Sequence, residues 1–154
     1  MKGSIALAAL CFCVTPCGAE PLVIAERGKA AECSIMIPAK ASPAHRYAAE
    51  ELRDWTEKAT GVRLPIVAGT GPIPAKAIVI DAGTGEADGF RLKVDGGVLR
   101  IVGENDRGAL YGVYEVLERF AGCRWYSSWR TVVPCRDRIE IPADLDETQT
   151  PALV

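Results

Sequence analysis

The sequence has few of the residues that support metal or nucleic-acid chemistry. Its 154 residues contain one histidine, His45, and no C-x-x-C pair, so a zinc site lacks most of its usual ligands. The 18 basic and 20 acidic residues leave a net charge of −2, without the Lys/Arg excess that neutralises nucleic-acid phosphates. We therefore expect no cofactor, no metal and no nucleic-acid partner.

Length and the scarcity of long apolar runs set two further limits. A complete (β/α)₈ barrel needs at least about 200 residues, which is more than the 154 residues present. The one long apolar run, Ile5–Val14, is too short to span a bilayer as a helix. We expect neither a whole barrel enzyme nor a membrane span in this sequence.

That apolar run is typical of an export signal. Lys2 precedes the run, and small residues at Gly18 and Ala19 precede Glu20. Residues 1–19 are predicted to be a signal peptide cleaved near Ala19, which implies a periplasmic or extracellular location. A lipid anchor at Cys11 or Cys13 is the disfavoured alternative, because the residue before each is bulky.

Three cysteines remain after signal cleavage: Cys33, Cys123 and Cys135. They would reside in a compartment that permits disulfides. Cys123 and Cys135 flank a short aromatic segment and could close a small loop by a disulfide. Buried free thiols are the other interpretation, and the sequence leaves both open.

Two amphipathic helices have clear boundary signals. Ser42 is a good N-cap before Pro43, and Gly61 suits the position past the end of the first helix. The second helix is predicted to start after Asn105 and to end at Gly122. Within it, Gly108 and Gly112 lower helix propensity, which indicates that another element packs very close to them.

The strands are predicted from short apolar or alternating runs. Phe90–Asp95 and Val98–Val102 alternate around a Gly-Gly turn and form a hairpin. Leu22–Ala25 and Cys33–Ile37 are predicted as two strands joined by a turn. The remaining predicted strands are Leu64–Val67, Ala77–Asp81, Arg124–Tyr126 and Arg138–Ile141. The order β-β-α-β-β-β-β-α-β-β predicts an α+β fold: a mostly antiparallel or mixed sheet with two amphipathic helices packed on one face.

No group of residues has the pattern of a catalytic site. The glycines of Gly83–Gly89 precede a predicted strand, whereas a dinucleotide fingerprint precedes a helix. His45 is expected to be an exposed residue in the first turn of a capped helix. Helix capping and solvation explain the four neighbouring acidic residues Glu104, Asp106, Glu115 and Glu118. We assign no catalytic residue.

An aromatic cluster near the end of the chain is the strongest candidate site. Trp125, Tyr126 and Trp129 lie within five residues, with Arg124 and Arg130 beside them. Aromatic rings flanked by polar groups can stack on sugars, but Trp, Tyr and Arg are also enriched at protein interfaces. Core or interface packing is the favoured interpretation, with ligand binding as the alternative.

Several segments resemble a known accessory domain. The motif Gly103–Glu118, continued by Gly122–Tyr126 and Val133-Pro134, resembles the α/β domain that precedes the catalytic barrel in family 67 α-glucuronidases. It is also similar to the second domain of family 20 β-N-acetylhexosaminidases. Ala48–Leu52 and Thr60–Ile66 fit the first helix and the following strand of that domain. Together the resemblance covers nearly all of residues 21–142.

The resemblance implies a noncatalytic N-terminal accessory domain of an exported glycoside hydrolase involved in polysaccharide catabolism, such as an α-glucuronidase in xylan breakdown. Residues 20–142 would form the domain, and residues 143–154 would form a linker toward a C-terminal catalytic barrel. The sequence would then be a truncated product without that barrel. Because the resembled enzymes hold their catalytic carboxylates in the barrel, this chain alone is expected to hydrolyse no glycoside. The expected interdomain contacts are Tyr111, Arg124, Trp125, Tyr126 and Trp129. The alternative is a stand-alone carbohydrate-binding module that uses the same aromatic residues to bind oligosaccharide.

Overall fold

A computed structural model describes residues 20–127 and 129–150, so the expected signal peptide lies outside the described residues. Two helices, α1 (Pro43–Thr60) and α2 (Asp106–Val116), are present, and α2 continues into a π-helical turn at Leu117–Ala121. The strands are β1 (Leu22–Glu26), β2 (Ser34–Ile37), β3 (Ile66–Ala68), β4 (Ala77–Ala82), β5 (Phe90–Asp95), β6 (Val98–Gly103), β7 (Arg124–Ser127), β8 (Arg130–Val132), β9 (Arg138–Ile141) and β10 (Asp146–Gln149).

The main sheet is mixed and has six strands in the order β10-β5-β6-β4-β2-β3. Strands β3, β2, β4 and β6 pair in parallel, whereas β5 and β10 are antiparallel additions at one side. Both helices pack on the same face of this sheet and against each other. The predicted α+β fold, with a mixed sheet and two helices on one face, is confirmed.

The core lies between the sheet and the helices. Alternate residues of the central strands, such as Ile35, Ile78 and Leu99, are fully buried against Leu52 of α1 and Val113 of α2. The opposite face of the sheet has only a small buried cluster of Met36, Ala77 and Val98. Within residues 20–127 and 129–150, no helix is both long enough and apolar enough to cross a membrane.

The local boundary signals give the observed helix starts. The Ser42 Oγ accepts a hydrogen bond from the His45 N–H, and the Asn105 side chain accepts one from the Gly108 N–H. Each cap satisfies a backbone donor that the helix leaves free. The predicted hairpin is also confirmed, since β5 and β6 pair around Gly96 and Gly97, whose φ values of 55° and 83° suit a turn with positive φ at both central residues.

The first two predicted strands and the turn after β1 are present, but the two strands do not pair with each other. Strand β1 pairs antiparallel with β9, 112 residues or more away in the chain, whereas β2 lies in the main sheet between β3 and β4. The turn around Gly28 is present, but β2 is buried on both faces and leads directly into α1. Burial of β2 in a parallel sheet therefore outweighs its closeness to β1 in the sequence.

Strand β10 lies in the segment that the sequence indicated as a linker. Its backbone pairs with β5, and the Arg91 guanidinium donates two 2.9 Å hydrogen bonds to the Asp146 carboxylate. Glu147 forms an ion pair with Arg119 of the π-helical turn. The strand has no buried apolar residue, so its sequence has none of the alternation that identifies a strand.

Acid is expected to destabilise the domain through three ion-paired carboxylates. Hydrogen bonds from Arg107, Arg91 and Arg119 lower the pKa values of Asp88, Asp146 and Glu147, respectively. A carboxyl with a lowered folded-state pKa stabilises the fold above its unfolded pKa of about 4 and loses that contribution as the pH falls through the folded value. The melting temperature should therefore fall steadily from pH 4 downward.

Melting curves recorded by circular dichroism between about pH 3 and pH 7 test this expectation. Asp146→Asn should flatten part of the acid slope. Asp95→Asn is the matched control, because Asp95 forms no ion pair within residues 20–127 and 129–150. An Asp146→Asn curve parallel to that of the parent chain would show that these pairs do not set the acid response.

Candidate functional site

Trp125 is packed between two other aromatic side chains. Its ring centroid lies 5.4 Å from that of Trp55 and 5.0 Å from that of Tyr114, with interplanar angles of 90° and 84°. Edge-to-face contacts of this kind are the favoured geometry for aromatic pairs. Trp125 therefore joins strand β7 to both helices.

One carboxylate fixes the two partners of Trp125. The Glu51 Oε2 atom accepts a 2.7 Å hydrogen bond from the Trp55 indole N–H and a 2.8 Å hydrogen bond from the Tyr114 hydroxyl. The Lys58 Nζ atom lies 3.6 Å from the Trp55 ring centroid. Burial and the hydrogen bond to Glu51 raise the pKa of Tyr114, which keeps its hydroxyl protonated as a donor. These contacts hold the aromatic group rigid.

The other two residues of the aromatic cluster are exposed. Strands β7 and β8 form a separate two-stranded hairpin, and we call Tyr126, Trp129 and Val132 on it the hairpin patch. Tyr126 is 66% exposed and Trp129 is 88% exposed. The Arg130 guanidinium lies 5.7 Å from the Tyr126 ring centroid. Large aromatic side chains grouped in solvent are typical of a contact surface.

The structure places Arg124 and Tyr111 outside the hairpin patch. The Arg124 Nη1 atom donates to the backbone oxygens of Glu118 (2.6 Å) and Cys123 (2.8 Å), so this guanidinium ties β7 to the preceding turn. Tyr111 lies on α2, one turn before Tyr114, and is 45% exposed. The five residues predicted from sequence therefore have different environments. Trp125 is packed, Arg124 binds backbone oxygens, Tyr126 and Trp129 form the hairpin patch, and Tyr111 lies on a second surface.

That second surface is a groove with a volume of about 360 Å³ beside α2. We call it the α2 groove. Its lining residues come from the loop before β5, from β5 itself, from α2 with its π-helical turn, and from the end of β10: Asp88, Phe90, Tyr111, Tyr114, Glu115, Glu118, Gln149 and Thr150. From the sequence, Glu115 and Glu118 are expected to be solvated helix residues, and Gln149 is expected to lie in a linker. Glu115 and Glu118 follow Tyr111 by four and seven residues, which places all three on one face of α2. This spacing was the signal available in the sequence.

Asp88, one of the carboxylates that line the α2 groove, is held by two neighbouring side chains. Asp88 accepts hydrogen bonds from the Asn105 amide (2.9 Å) and the Arg107 Nε atom (3.1 Å), and the Arg107 guanidinium holds the pKa of Asp88 below its usual range. Within the described ranges no three His, Cys, Asp or Glu side chains converge as a metal site.

His45 is buried rather than exposed as the sequence predicted. Its side chain is 7% exposed, and its Nδ1 atom lies 2.8 Å from the Ser42 Oγ atom and 3.5 Å from Asp106. The start of α2 covers the first turn of α1, which a pattern confined to one helix does not indicate. His45 therefore links the N-terminus of α1 to the N-terminus of α2.

The three cysteines of the described residues are free. Cys33 and Cys123 are buried, and Cys135 is exposed. Burial raises the pKa of the Cys33 thiol to about 12 and also raises the pKa of the Cys123 thiol. The sequence left open buried free thiols or a Cys123–Cys135 disulfide; the structure has free thiols, and Cys135 is exposed rather than buried.

Thiol labelling is expected to distinguish these cysteines. In the native chain at pH 8, iodoacetamide should modify Cys135 and leave Cys33 and Cys123 unmodified, because the thiolate is the reactive form and burial disfavours it. Peptide mass spectrometry before and after denaturation measures the difference. A disulfide-linked Cys123–Cys135 peptide that is present before reduction and is lost on reduction would contradict the free-thiol arrangement.

A family comparison identifies the domain. The model of glycosyl hydrolase family 20, domain 2, matches residues 29–119, which is more than half of the chain. The chain belongs to this domain family. No protein of curated function matches the sequence.

Solved glycoside hydrolases share the fold. The family GH20 β-N-acetylhexosaminidase from Streptomyces coelicolor A3(2) is 20% identical with a TM-score of 0.56, over 88% of this chain and 24% of that one. A family GH115 4-O-methyl-α-glucuronidase with specificity for decorated arabinogalactans is 15% identical with a TM-score of 0.58, over 83% of this chain and 18% of that one. The chain spans about a quarter or less of the length of these enzymes. The family is one of accessory domains that glycoside hydrolases carry.

Proposed function

We propose that this domain packs against the catalytic barrel of an exported glycoside hydrolase and that the hairpin patch is its contact surface. The exposure of Trp129 and Tyr126 is the observation that carries the proposal. Interfaces are rich in Trp, Tyr and Arg, and an exposed indole costs solvation free energy that a partner surface would recover. The rigid Trp55–Trp125–Tyr114 group supports the base of the hairpin.

The activity of the full-length enzyme is proposed as α-glucuronidase, acting in xylan breakdown. Similarity in fold to a 4-O-methyl-α-glucuronidase is compatible with this activity. The match to the family 20 domain supports a β-N-acetylhexosaminidase, which is the competing activity. Assays of the full-length enzyme on glucuronoxylan and on a chromogenic N-acetylglucosaminide separate the two. Release of glucuronic acid alone would support the proposal, and release of N-acetylglucosamine alone would overturn it.

Export is proposed from the sequence of residues 1–19. Processing near Ala19 would leave Glu20 at the amino terminus, immediately before β1. N-terminal sequencing of the protein from the periplasm or the culture medium tests this proposal. An intact Met1 on the cell-associated protein would contradict cleavage.

A photo-cross-linker tests the docking surface. With p-benzoylphenylalanine in place of Trp129 in the full-length enzyme, irradiation should form a cross-link to the catalytic domain of the same chain. The same amino acid in place of Val67, an exposed residue on the edge strand β3, is the matched control and should form none. Equal cross-linking from both positions, or none from position 129, would overturn the docking surface.

A stand-alone carbohydrate-binding module is the second candidate, because the same exposed rings can stack on sugars. Trp125 is packed in the structure, so the hairpin patch would bind through Tyr126 and Trp129. Titration with xylan-derived and chitin-derived oligosaccharides tests the module. Saturable binding that Trp129→Ala removes would favour it over docking.

A further inference from the structure

The α2 groove has the size and position of a small-ligand site. Its volume of about 360 Å³ falls in the range of roughly 300–1,000 Å³ that is typical of such sites. The groove lies beside the outer face of α2 and reaches the end of β10. None of its lining residues belongs to the hairpin patch.

Aromatic rings form part of the groove wall. Tyr111 and Tyr114 project from the same face of α2, and Phe90 of β5 is buried beneath them. The Tyr114 ring is fixed by its hydroxyl bond to Glu51 and by its contact with Trp125. Tyr111 is the ring that is half exposed to a ligand.

Polar groups form the rest of the wall, and two of its three carboxylates, those of Glu115 and Glu118, form no ion pair within the described residues. Glu115 and Glu118 form no ion pair within residues 20–127 and 129–150, because the nearby Arg119 pairs with Glu147 instead. Asp88, at the other side, is already paired with Arg107. An ionised carboxylate only accepts hydrogen bonds, so Glu115 and Glu118 are suited to a ligand that presents several O–H donors.

We propose that the α2 groove binds one pyranose unit of a glycan. A sugar ring has an apolar C–H face, which stacks on the Tyr111 ring, and equatorial hydroxyls, which donate to Glu115 and Glu118. The Gln149 amide at the end of β10 can both donate and accept. The site would hold the substrate polymer outside the catalytic barrel. It does not depend on docking of the hairpin patch.

Calorimetric titration of the purified chain with xylohexaose, N-acetylchitohexaose and cellohexaose tests the site. At least one of these neutral probes should bind, and Tyr111→Ala should weaken that binding about tenfold. Glu118→Gln keeps the size and removes the charge, and it should weaken binding about threefold. Glu140→Gln, on the exposed side of β9, is the matched control and should bind like the parent chain. Melting curves confirm that each variant is folded.

Three results would overturn the proposal. The first is no saturable binding of any neutral hexasaccharide. The second is binding that Trp129→Ala removes and that Tyr111→Ala and Glu118→Gln leave unchanged, which would place the sugar on the hairpin patch. The third is binding of hexaglucosamine, which carries protonated amines, without binding of the neutral probes, which would make the groove a cation site.

Discussion

Replacement of Gly108 by alanine is expected to destabilise the domain by about 2–3 kcal/mol, as overpacking of a close contact does. A Cβ atom at this position would clash with the backbone oxygen of Gly89, a backbone group that cannot rotate away. Alanine would gain about 1 kcal/mol of helix propensity over glycine, but the clash outweighs this gain. The same contact holds the loop before β5 against the start of α2, so the α2 groove would also change shape.

Gly71→Ala is the matched control for Gly108→Ala. A Cβ atom at Gly71 has no neighbour within 4 Å and the residue does not have a positive φ, so the substitution should change stability little. Urea unfolding followed by circular dichroism gives the free energy of unfolding for both variants. A Gly108→Ala chain as stable as the Gly71→Ala chain would contradict the close packing of α2 on the Gly89 loop.

Trp125→Ala is expected to destabilise the domain by about 2–4 kcal/mol, slightly below the range for a fully buried Trp→Ala substitution because Trp125 is partly exposed. The substitution removes two edge-to-face aromatic contacts and leaves a gap between α1, α2 and β7. Trp129→Ala is the matched comparison four residues later. Trp129 is 88% exposed, so its loss should change stability by no more than about 0.5 kcal/mol.

Urea unfolding gives the free energy of unfolding of the Trp125→Ala and Trp129→Ala variants. Tryptophan fluorescence is a second measurement, because Trp125→Ala should remove a shielded indole and Trp129→Ala should remove a solvent-exposed one. Equal stability of the two variants would contradict the division of the cluster into a packed member and an exposed member. A large destabilisation by Trp129→Ala would place that side chain in the core instead of the hairpin patch.

Local features of the fold were predictable because the responsible residues are neighbours in sequence. Ser42 and Asn105 cap helices within three residues of themselves, and Gly96-Gly97 closes a hairpin between adjacent strands. The close packing expected at Gly108 and Gly112 is also present, since a Cβ atom at Gly112 would lie 2.6 Å from Ile101 Cγ2. In each case, the residues that determine the cap, the turn or the close contact lie in one short segment of the sequence.

Non-local features were not predictable from the same patterns. Strand β1 finds its partner at β9, near the other end of the described chain. Strand β10 has only polar residues, and its backbone pairing with β5 places it in the sheet. His45 is buried by the start of α2, about 60 residues later. Hydrophobic periodicity describes one element at a time, so it carries no information about which distant element covers it.

The candidate sites were also hard to predict because they depend on contacts between elements that are distant in sequence. The sequence identified the aromatic cluster, but it could not separate Trp125, which packs on Trp55 from α1, from Trp129, which faces solvent. The α2 groove is formed by side chains from α2, β5 and β10, whose proximity depends on the sheet order. The family, in contrast, was indicated by a contiguous motif around α2 and is confirmed by the match over residues 29–119.

The mass of the native product in its host tests the central claim, that this domain works as part of a larger glycoside hydrolase. An immunoblot with an antibody against residues 20–142 measures that mass. We predict a species larger than this 16.5 kDa chain by at least the roughly 250 residues typical of a barrel. A species at or just below 16.5 kDa, as the sole product, would contradict it.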